Sequence, residues 1–261
     1  MTQDQRGERL PELVEIMRKL LAPDGCPWDR EQTLQTLRPY VVEEAHEVVD
    51  AIDRGDMKDL REELGDLLLQ IVFQAELAGG AFGIDDVVGA ICDKMVRRHP
   101  HVFADATAEN STEVLKNWEA IKAEEKKDRG VLDGVPVALP SLMRAYRMGE
   151  KAAHLGLDWP DAAGPRRKLD EEVAELDEAL AGDDPEAASA ELGDVQFTLV
   201  SMARKRGLDP EAALRGTCDR FARRVGWIEG EMTRAERAPS SYDAQELDGL
   251  WNRAKEHTSK P

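Results

Sequence analysis

Acidic residues at helical spacing form the same motif twice in this 261-residue chain. Each motif is Glu-Glu-x-x-Glu followed, after a spacer of constant length, by Glu-Leu-Gly-Asp. Its acidic residues are Glu43, Glu44, Glu47, Glu63 and Asp66 in the first copy, and Glu171, Glu172, Glu175, Glu191 and Asp194 in the second. Residues three or four apart share one face of a helix, so each motif gathers several carboxylates. An all-oxygen set of this kind favours Mg2+ or Mn2+.

Neither Glu-Glu-x-x-Glu segment contains a lysine or arginine that would neutralise it. Like charges one helical turn apart destabilise a helix by about 0.2–0.5 kcal/mol per pair. Glu-rich helix faces are ordinarily just solvated. Here the acids also stand beside apolar residues such as Leu64 and Leu192. The pattern therefore favours bound cations over a plain surface.

Histidines offer a competing metal chemistry. Glu43-x-x-His46 resembles half of a di-iron carboxylate site, which requires two Glu-x-x-His motifs. The second copy has Ala174 where the other histidine would stand, which argues against that site. His99 and His101 flank a proline and are interpreted as structural.

The elements that must position these residues are predicted to be helices. Charged residues make up 34% of the chain and aromatic residues only 5%, with few strand-forming runs, so the fold class is predicted to be all-α. Helices are expected near 9–21, 40–54, 57–79, 84–98 and 111–127, and near 140–155, 165–181, 185–206, 210–236 and 243–257. A Gly- and Pro-rich linker at 130–139 divides the chain into domains at 1–129 and 140–261.

The similarity between the halves extends beyond the acidic motif. Cys92-Asp93-x-x-x-Arg97-Arg98 matches Cys218-Asp219-x-x-x-Arg223-Arg224, and Trp118-x-x-x-Lys122 matches Trp251-x-x-x-Lys255. The chain is therefore interpreted as an internal duplication, giving two tandem helical-bundle domains.

Charge and composition exclude several classes of protein. A net charge of −18 argues against nucleic acid as a partner, because a phosphate backbone requires a basic surface. The polar N-terminus and the lack of any long apolar run predict a soluble, cytoplasmic protein with no membrane partner. Cys26, Cys92 and Cys218 are too widely spaced for a CxxC site and are expected to be reduced thiols.

The motifs resemble those of the MazG-type nucleoside triphosphate pyrophosphohydrolases, an all-α family with the signature EExxE, a spacer and ExxD. The resemblance extends over nearly the whole chain, including Gly25-Cys26-Pro27-Trp28-Asp29, Arg97 to Phe103 and Leu157-Asp158-Trp159. It is to the full-length, two-domain form. It implies Mg2+-dependent hydrolysis of a (d)NTP between the α and β phosphates, giving the monophosphate and pyrophosphate.

Site residues follow from the resemblance. It implies that the metal ligands are Glu172, Glu175, Glu191 and Asp194, matched in the first copy by Glu44, Glu47, Glu63 and Asp66. It also implies a catalytic base at Glu171 or Glu172, and nucleotide contacts from Lys168, Glu171, Arg220, Arg224 and Trp251. Arg220 departs from the family, which more often has lysine there.

The two copies are not expected to be equivalent. Tyr40 occupies the first-copy position that Lys168 holds in the second, so the first site lacks a cation. Catalysis is therefore expected mainly from the second copy. A homodimer is expected, since helix pairs of this kind bury their remaining apolar face against a partner. The alternative is a non-catalytic regulator that senses nucleotides and acts through a protein partner.

Overall fold

A computed structural model describes residues 7–125 and 130–258 of the chain. Every regular element in these ranges is a helix, so the all-α prediction is confirmed. The chain divides into two compact units, Met1–Lys126 and Lys127–Pro261. Residues 130–140 between the long helices contain turns and no helix.

The first unit contains five long helices and two short ones among its described residues. They are α1 (Leu10–Leu21), α2 (Pro27–Glu31), α3 (Arg38–Arg54), α4 (Met57–Leu77), α5 (Ile84–Arg98), α6 (Pro100–Phe103) and α7 (Ser111–Glu124). The long helices match the predicted ones within a few residues. The sequence did not predict α2 and α6, each a single turn beginning at proline, and the predicted end of α7 at 127 lies outside the described residues.

The second unit repeats this plan with helices of equal or greater length. They are α8 (Ser141–Ala153), α9 (Ala163–Ala181), α10 (Pro185–Lys205), α11 (Pro210–Arg234) and α12 (Ala244–Thr258), with a short 3-10 turn at Pro239–Ser241 before α12. Each corresponds to a predicted helix. The most extensive packing is between α9 and α10, while α11 packs against α12, α8 and α10.

Tight turns make α3–α4 and α9–α10 antiparallel hairpins. Gly55 ends α3 with φ of 70°, a left-handed conformation that glycine adopts without steric cost. Asp56 then caps α4, its carboxylate accepting from the backbone N–H groups of Lys58 at 3.0 Å and Asp59 at 3.1 Å. Asp184 caps α10 in the same way. The turns fix the register in which each hairpin's carboxylates face one another.

The hydrophobic core of the first unit packs α1 against α4. It contains Val14, Met17, Leu37, Val72, Phe73, Ala75 and Ile84. In the second unit the buried apolar residues include Val200, Met232, Leu250 and Ala254. Among the described helices, none combines the length and apolar character needed to cross a membrane.

An ion-pair cluster holds the chain segment before α9 against the end of α10. Asp158 accepts hydrogen bonds from Arg204 at 3.0 Å and Lys205 at 2.5 Å, and Lys205 also donates to the carbonyl of Trp159. The Arg204 guanidinium, with Lys205, holds the pKa of Asp158 well below its usual range. This cluster fixes the start of α9 and therefore the position of the carboxylates that α9 carries.

Candidate metal and nucleotide site

The first-copy carboxylates meet across the α3–α4 groove. Glu44 on α3 and Glu63 and Asp66 on α4 each offer an oxygen, and these oxygens lie within 4.8 Å of one another. Glu47 lies beside them, since its charge acts on both Glu44 and Glu63. The convergence predicted from helical spacing is therefore present in this copy.

The second-copy carboxylates meet across the α9–α10 groove. Glu172, Glu175 and Glu191 place one oxygen each within 4.8 Å of the others. Glu172 is only 5% exposed, which is unusual for a carboxylate. Asp194 is exposed and lies outside this trio, although its counterpart Asp66 belongs to the first-copy trio. The two copies together thus bring in all four predicted ligand positions, and neither trio contains all four.

Electrostatics show that the carboxylates repel one another. Burial, together with Asp66 and Glu47, raises the pKa of Glu44. Burial, together with Glu47 and other neighbouring acids, raises the pKa of Glu63. In the second copy burial also raises the pKa of Glu175, although Lys168 acts in the opposite direction. A bound divalent cation would relieve this repulsion, and a donor set made only of carboxylate oxygens suits a hard cation.

Lys168 distinguishes the second copy. Its Nζ lies 2.5 Å from Glu171 Oε1 and 2.8 Å from Glu172 Oε1. These two carboxylates raise the pKa of Lys168, so the ammonium stays charged. The side chain is 35% exposed, which leaves it accessible to a ligand.

Tyr40 does not replace that function in the first copy. Its ring packs edge-on against Trp28, with centroids 6.0 Å apart, and against the hydrophobic core of the first unit. It therefore contributes packing where Lys168 contributes charge.

The remaining predicted nucleotide residues lie on the α11–α12 pair. The Arg224 guanidinium carbon lies 5.5 Å from the Trp251 ring centroid, and Arg224 Nε donates to Thr258 Oγ1 at 3.3 Å. Arg220 is exposed and donates to Thr217 Oγ1 at 2.8 Å. Within the described ranges, no hydrogen bond or ion pair joins this group to the carboxylates of α9 and α10. The predicted site residues of the second copy therefore fall into two groups, one on the α9–α10 pair and one on the α11–α12 pair.

The first copy has a matching arginine in a different environment. Arg98 lies over Trp118 at 5.1 Å, as Arg224 lies over Trp251. Its Nε donates to Glu125 at 3.1 Å, and Arg97 Nε donates to the same carboxylate at 2.6 Å. Glu125 follows Trp118 at the same distance as Thr258 follows Trp251. Sequence reasoning missed this difference, although aligning the copies on their tryptophans would have revealed it.

Contacts within the chain hold the rings of His46 and His99. His46 Nδ1 lies 2.6 Å from the carbonyl of Val42 on its own helix, and His46 belongs to neither carboxylate trio. His99 contacts the Met95 carbonyl and the Trp118 ring. These contacts agree with a structural interpretation of His99. Cys26, Cys92 and Cys218 form no disulfide.

Comparison with known proteins decides the family. The profile of the MazG nucleotide pyrophosphohydrolase domain matches residues 32–103 and 165–228, one segment in each copy. The chain belongs to the MazG family. Both matched segments contain a complete carboxylate motif, so the family resemblance inferred from these residues is confirmed.

Two relatives match this MazG chain over nearly its full length, and a third matches part of it. A nucleoside triphosphate pyrophosphohydrolase of Escherichia coli strain K12 is 42% identical over 255 residues, covering 95% of this chain and 97% of the relative. The nucleoside triphosphate pyrophosphohydrolase/pyrophosphatase MazG of Thermotoga maritima is 40% identical over 255 residues, covering 96% and 97%. A nucleoside triphosphate pyrophosphohydrolase of Mycobacterium tuberculosis is 42% identical over 157 residues, covering 59% and 47%.

Proposed function

We propose that this MazG-family chain is a nucleoside triphosphate pyrophosphohydrolase. It hydrolyses a (d)NTP between the α and β phosphates and releases the monophosphate and pyrophosphate, with Mg2+ as cofactor and Mn2+ as a substitute. The observation that carries the proposal is the second carboxylate trio with Lys168 bonded to its edge. The names and full-length similarity of the relatives support it.

Each group in the second copy has a role in this reaction. Glu172, Glu175, Glu191 and Asp194 would hold the cation. When bound, the cation neutralises phosphate charge and lowers the pKa of a water. A water oxygen forms the new bond to phosphorus as the bridging P–O bond breaks, and the water's proton passes to a carboxylate, for which Glu171 and Glu172 are the candidates.

The cations and the aromatic ring bind the substrate. Lys168 can turn from Glu171 to a phosphate oxygen, which also leaves that carboxylate able to accept a proton. Arg220 and Arg224 lie one turn apart on α11 and present two guanidinium groups to the phosphates. Trp251, already in contact with Phe221 at 5.5 Å between centroids, offers a face for stacking a base.

Product identification tests the function. The full chain is incubated with each NTP and dNTP and with Mg2+, and the products are separated by anion-exchange chromatography. Monophosphate and pyrophosphate in equal amounts are expected, and chelation of the metal should stop their release. Nucleotide that is bound but unchanged would instead support the sensing regulator.

Exposed apolar residues beside the second site support the homodimer. Leu192, Leu199 and Phe197 on α10 and Val173 and Leu180 on α9 are each more than 40% exposed. Covering them with a second copy would also remove water from the neighbouring carboxylates and strengthen their hold on a cation. Light scattering of the full chain should give twice the monomer mass, and Leu192→Lys should lower it.

The domains at 1–129 and 140–261 are proposed as one MazG unit each, with the second as the main catalytic one. The unpaired cysteines support a reducing compartment, in keeping with a cytoplasmic nucleotide pool. Expression of each unit alone tests this division: the second should retain most of the turnover.

A further inference from the structure

A buried amide on α4 has a polar atom that nothing in the described structure satisfies. Gln70 is 8% exposed, and its Oε1 is fully buried without a hydrogen-bond partner. Buried polar atoms in folded proteins nearly always have a partner, because leaving one unpaired forfeits its hydration. An unpaired buried carbonyl oxygen therefore points to a donor that arrives from outside the chain.

Helical spacing puts Gln70 on the face of α4 that carries the first carboxylate trio. It follows Asp66 by one turn and Glu63 by two, so the three share one face of α4. That face meets α3, because oxygens of Glu63 and Asp66 lie within 4.8 Å of an oxygen of Glu44. On antiparallel α3, Tyr40 precedes Glu44 by one turn. Gln70 and Tyr40 therefore form the next layer of the groove, about one helical turn, or ~5.4 Å, from the carboxylates.

The second copy also has a buried polar residue at this position. Thr198 follows Asp194 at the same spacing and is 4% exposed. Ser201, also buried on the same helix, donates its hydroxyl to the carbonyl of Phe197 at 3.1 Å and so is satisfied within α10. A polar side chain one turn from the trio is thus common to both copies, although one is an amide and the other a hydroxyl.

The position of Gln70 and Thr198 relative to the trios indicates which part of a bound nucleotide would contact them. This inference rests on the proposed function, in which the trio and its cation hold the phosphates next to the bond that breaks. The sugar is attached directly to the α phosphate, so its hydroxyl groups lie about one helical turn away. The Gln70 carbonyl oxygen can only accept, so it suits a hydroxyl and not an anionic phosphate, and the Thr198 hydroxyl can accept from a sugar hydroxyl as well. We propose that Gln70 and Thr198 recognise a sugar hydroxyl of the nucleotide bound in their respective copies.

Turnover by the second copy tests Thr198. Thr198→Val keeps the shape and removes the hydroxyl, and kcat/KM is measured with Mg2+ on an NTP and on the 2′,3′-dideoxy NTP of the same base. We expect a three- to tenfold loss on the NTP, about the contribution of one neutral hydrogen bond. The dideoxy substrate should lose less than twofold, because it has no hydroxyl to lose. Ser201→Ala is the matched control and should lose little on either.

Equal losses on both substrates, or none on either, would overturn the assignment of Thr198. Thr198→Ser restores a hydroxyl and should regain selectivity for the NTP over the dideoxy substrate. A purely structural threonine would show no such substrate-dependent rescue.

Binding by the first copy tests Gln70. Calorimetry measures the binding of a non-hydrolysable α,β-methylene NTP in the presence of Mg2+. The protein is the full chain carrying Glu172→Gln, a substitution that disables the second site. Gln70→Leu should weaken the binding that remains three- to tenfold, and should leave the binding of the dideoxy analogue unchanged. Gln74→Leu, one turn further along α4, is the control. Unchanged binding after Gln70→Leu, or a first copy that binds neither analogue, would overturn the assignment of Gln70.

The two proposals can fail separately. If the unaltered chain released no pyrophosphate yet bound the methylene analogue with this dependence on hydroxyls, the hydrolase proposal would fall and sugar recognition would stand. If the chain released pyrophosphate and no variant changed the preference for substrates with sugar hydroxyls, sugar recognition would fall and the hydrolase proposal would stand.

Discussion

The two copies share their carboxylates and differ in their cations. Each hairpin brings three acidic oxygens within 4.8 Å of one another. Beside them, the second copy has Lys168 in an ion pair with the cluster, while the first has Tyr40 packed on Trp28. Both copies therefore have the carboxylates, whereas in the described part of the chain only the second has a lysine beside them.

The arginines repeat this difference. Arg98 shares the carboxylate of Glu125 with Arg97, whereas Arg224 has only the hydroxyl of Thr258 as a hydrogen-bond partner in the described structure. The positive charge of Arg98 is thus neutralised within the fold, while that of Arg224 remains available to a phosphate. The proposed triphosphate site in the second copy therefore combines Lys168, held at the edge of the trio, with Arg224, which has no carboxylate partner among the described residues.

The largest expected effect comes from removing a matched carboxylate from each copy in turn. Glu172→Gln should reduce kcat at least ~100-fold, because losing a ligand removes several kcal/mol of charge stabilisation. Glu44→Gln, the matched change in the first copy, should leave kcat within about twofold. Pyrophosphate release is the measurement, with circular dichroism as the control for folding. Loss of turnover from Glu44→Gln alone would show that the first copy is the catalytic one.

The next largest effect comes from removing the charge of Lys168. Lys168→Met should lower kcat/KM about 10- to 100-fold, since a charged hydrogen bond contributes about 1.5–3 kcal/mol. Tyr40→Lys should strengthen nucleotide binding by the first copy in a chain carrying Glu172→Gln, followed by calorimetry. Improvement there would sharpen the comparison. Equal kinetics for Lys168→Met and the unaltered chain would remove the lysine from the explanation.

Much of this site could be predicted from the sequence because helix geometry is local. Residues three and four apart share a face, so the trios on each hairpin followed from spacing. The all-α class and most helix bounds followed from composition and caps such as Asp56. Long-range contacts did not follow: the Arg98–Glu125 pair joins residues far apart in the chain, and the burial of Gln70 depends on how the neighbouring helices pack on α4. Exposed Asp194, outside its trio, shows that a repeated motif does not fix every side chain.

A smaller effect separates the two arginines. Arg224→Ala should raise KM about tenfold with kcat nearly unchanged, because it removes a contact made equally to substrate and transition state. Arg98→Ala should leave KM unchanged and lower the melting temperature of the first unit, because it leaves the partly buried Glu125 with fewer partners. Steady-state kinetics and thermal unfolding of both variants provide the test. A KM effect from Arg98→Ala would mean that its charge is available to substrate after all.

The smallest effect is on acid stability and distinguishes Glu125 from Thr258. Hydrogen bonds from Arg98 and Arg97 lower the pKa of Glu125 from 4.5 to about 2 in the folded chain. A carboxylate with a lowered folded pKa stabilises the fold above its unfolded pKa, and this contribution is lost as the pH falls from about 4.5 through about 2. Thr258 has no titrating group in that range, so the second copy lacks this particular loss.

Glu125→Gln should therefore be less stable than the unaltered chain at pH 6 and converge with it as the pH falls below 4. Urea unfolding followed at intervals between pH 6 and pH 2.5 provides the measurement, with Thr258→Val as the control that should not converge in this way. High salt should shrink the difference at pH 6, because Glu125 is partly exposed and its attraction to the arginines is screened. Parallel unfolding curves at every pH would show that Glu125 does not hold Arg98, and the counter-ion would then no longer explain why the two copies differ.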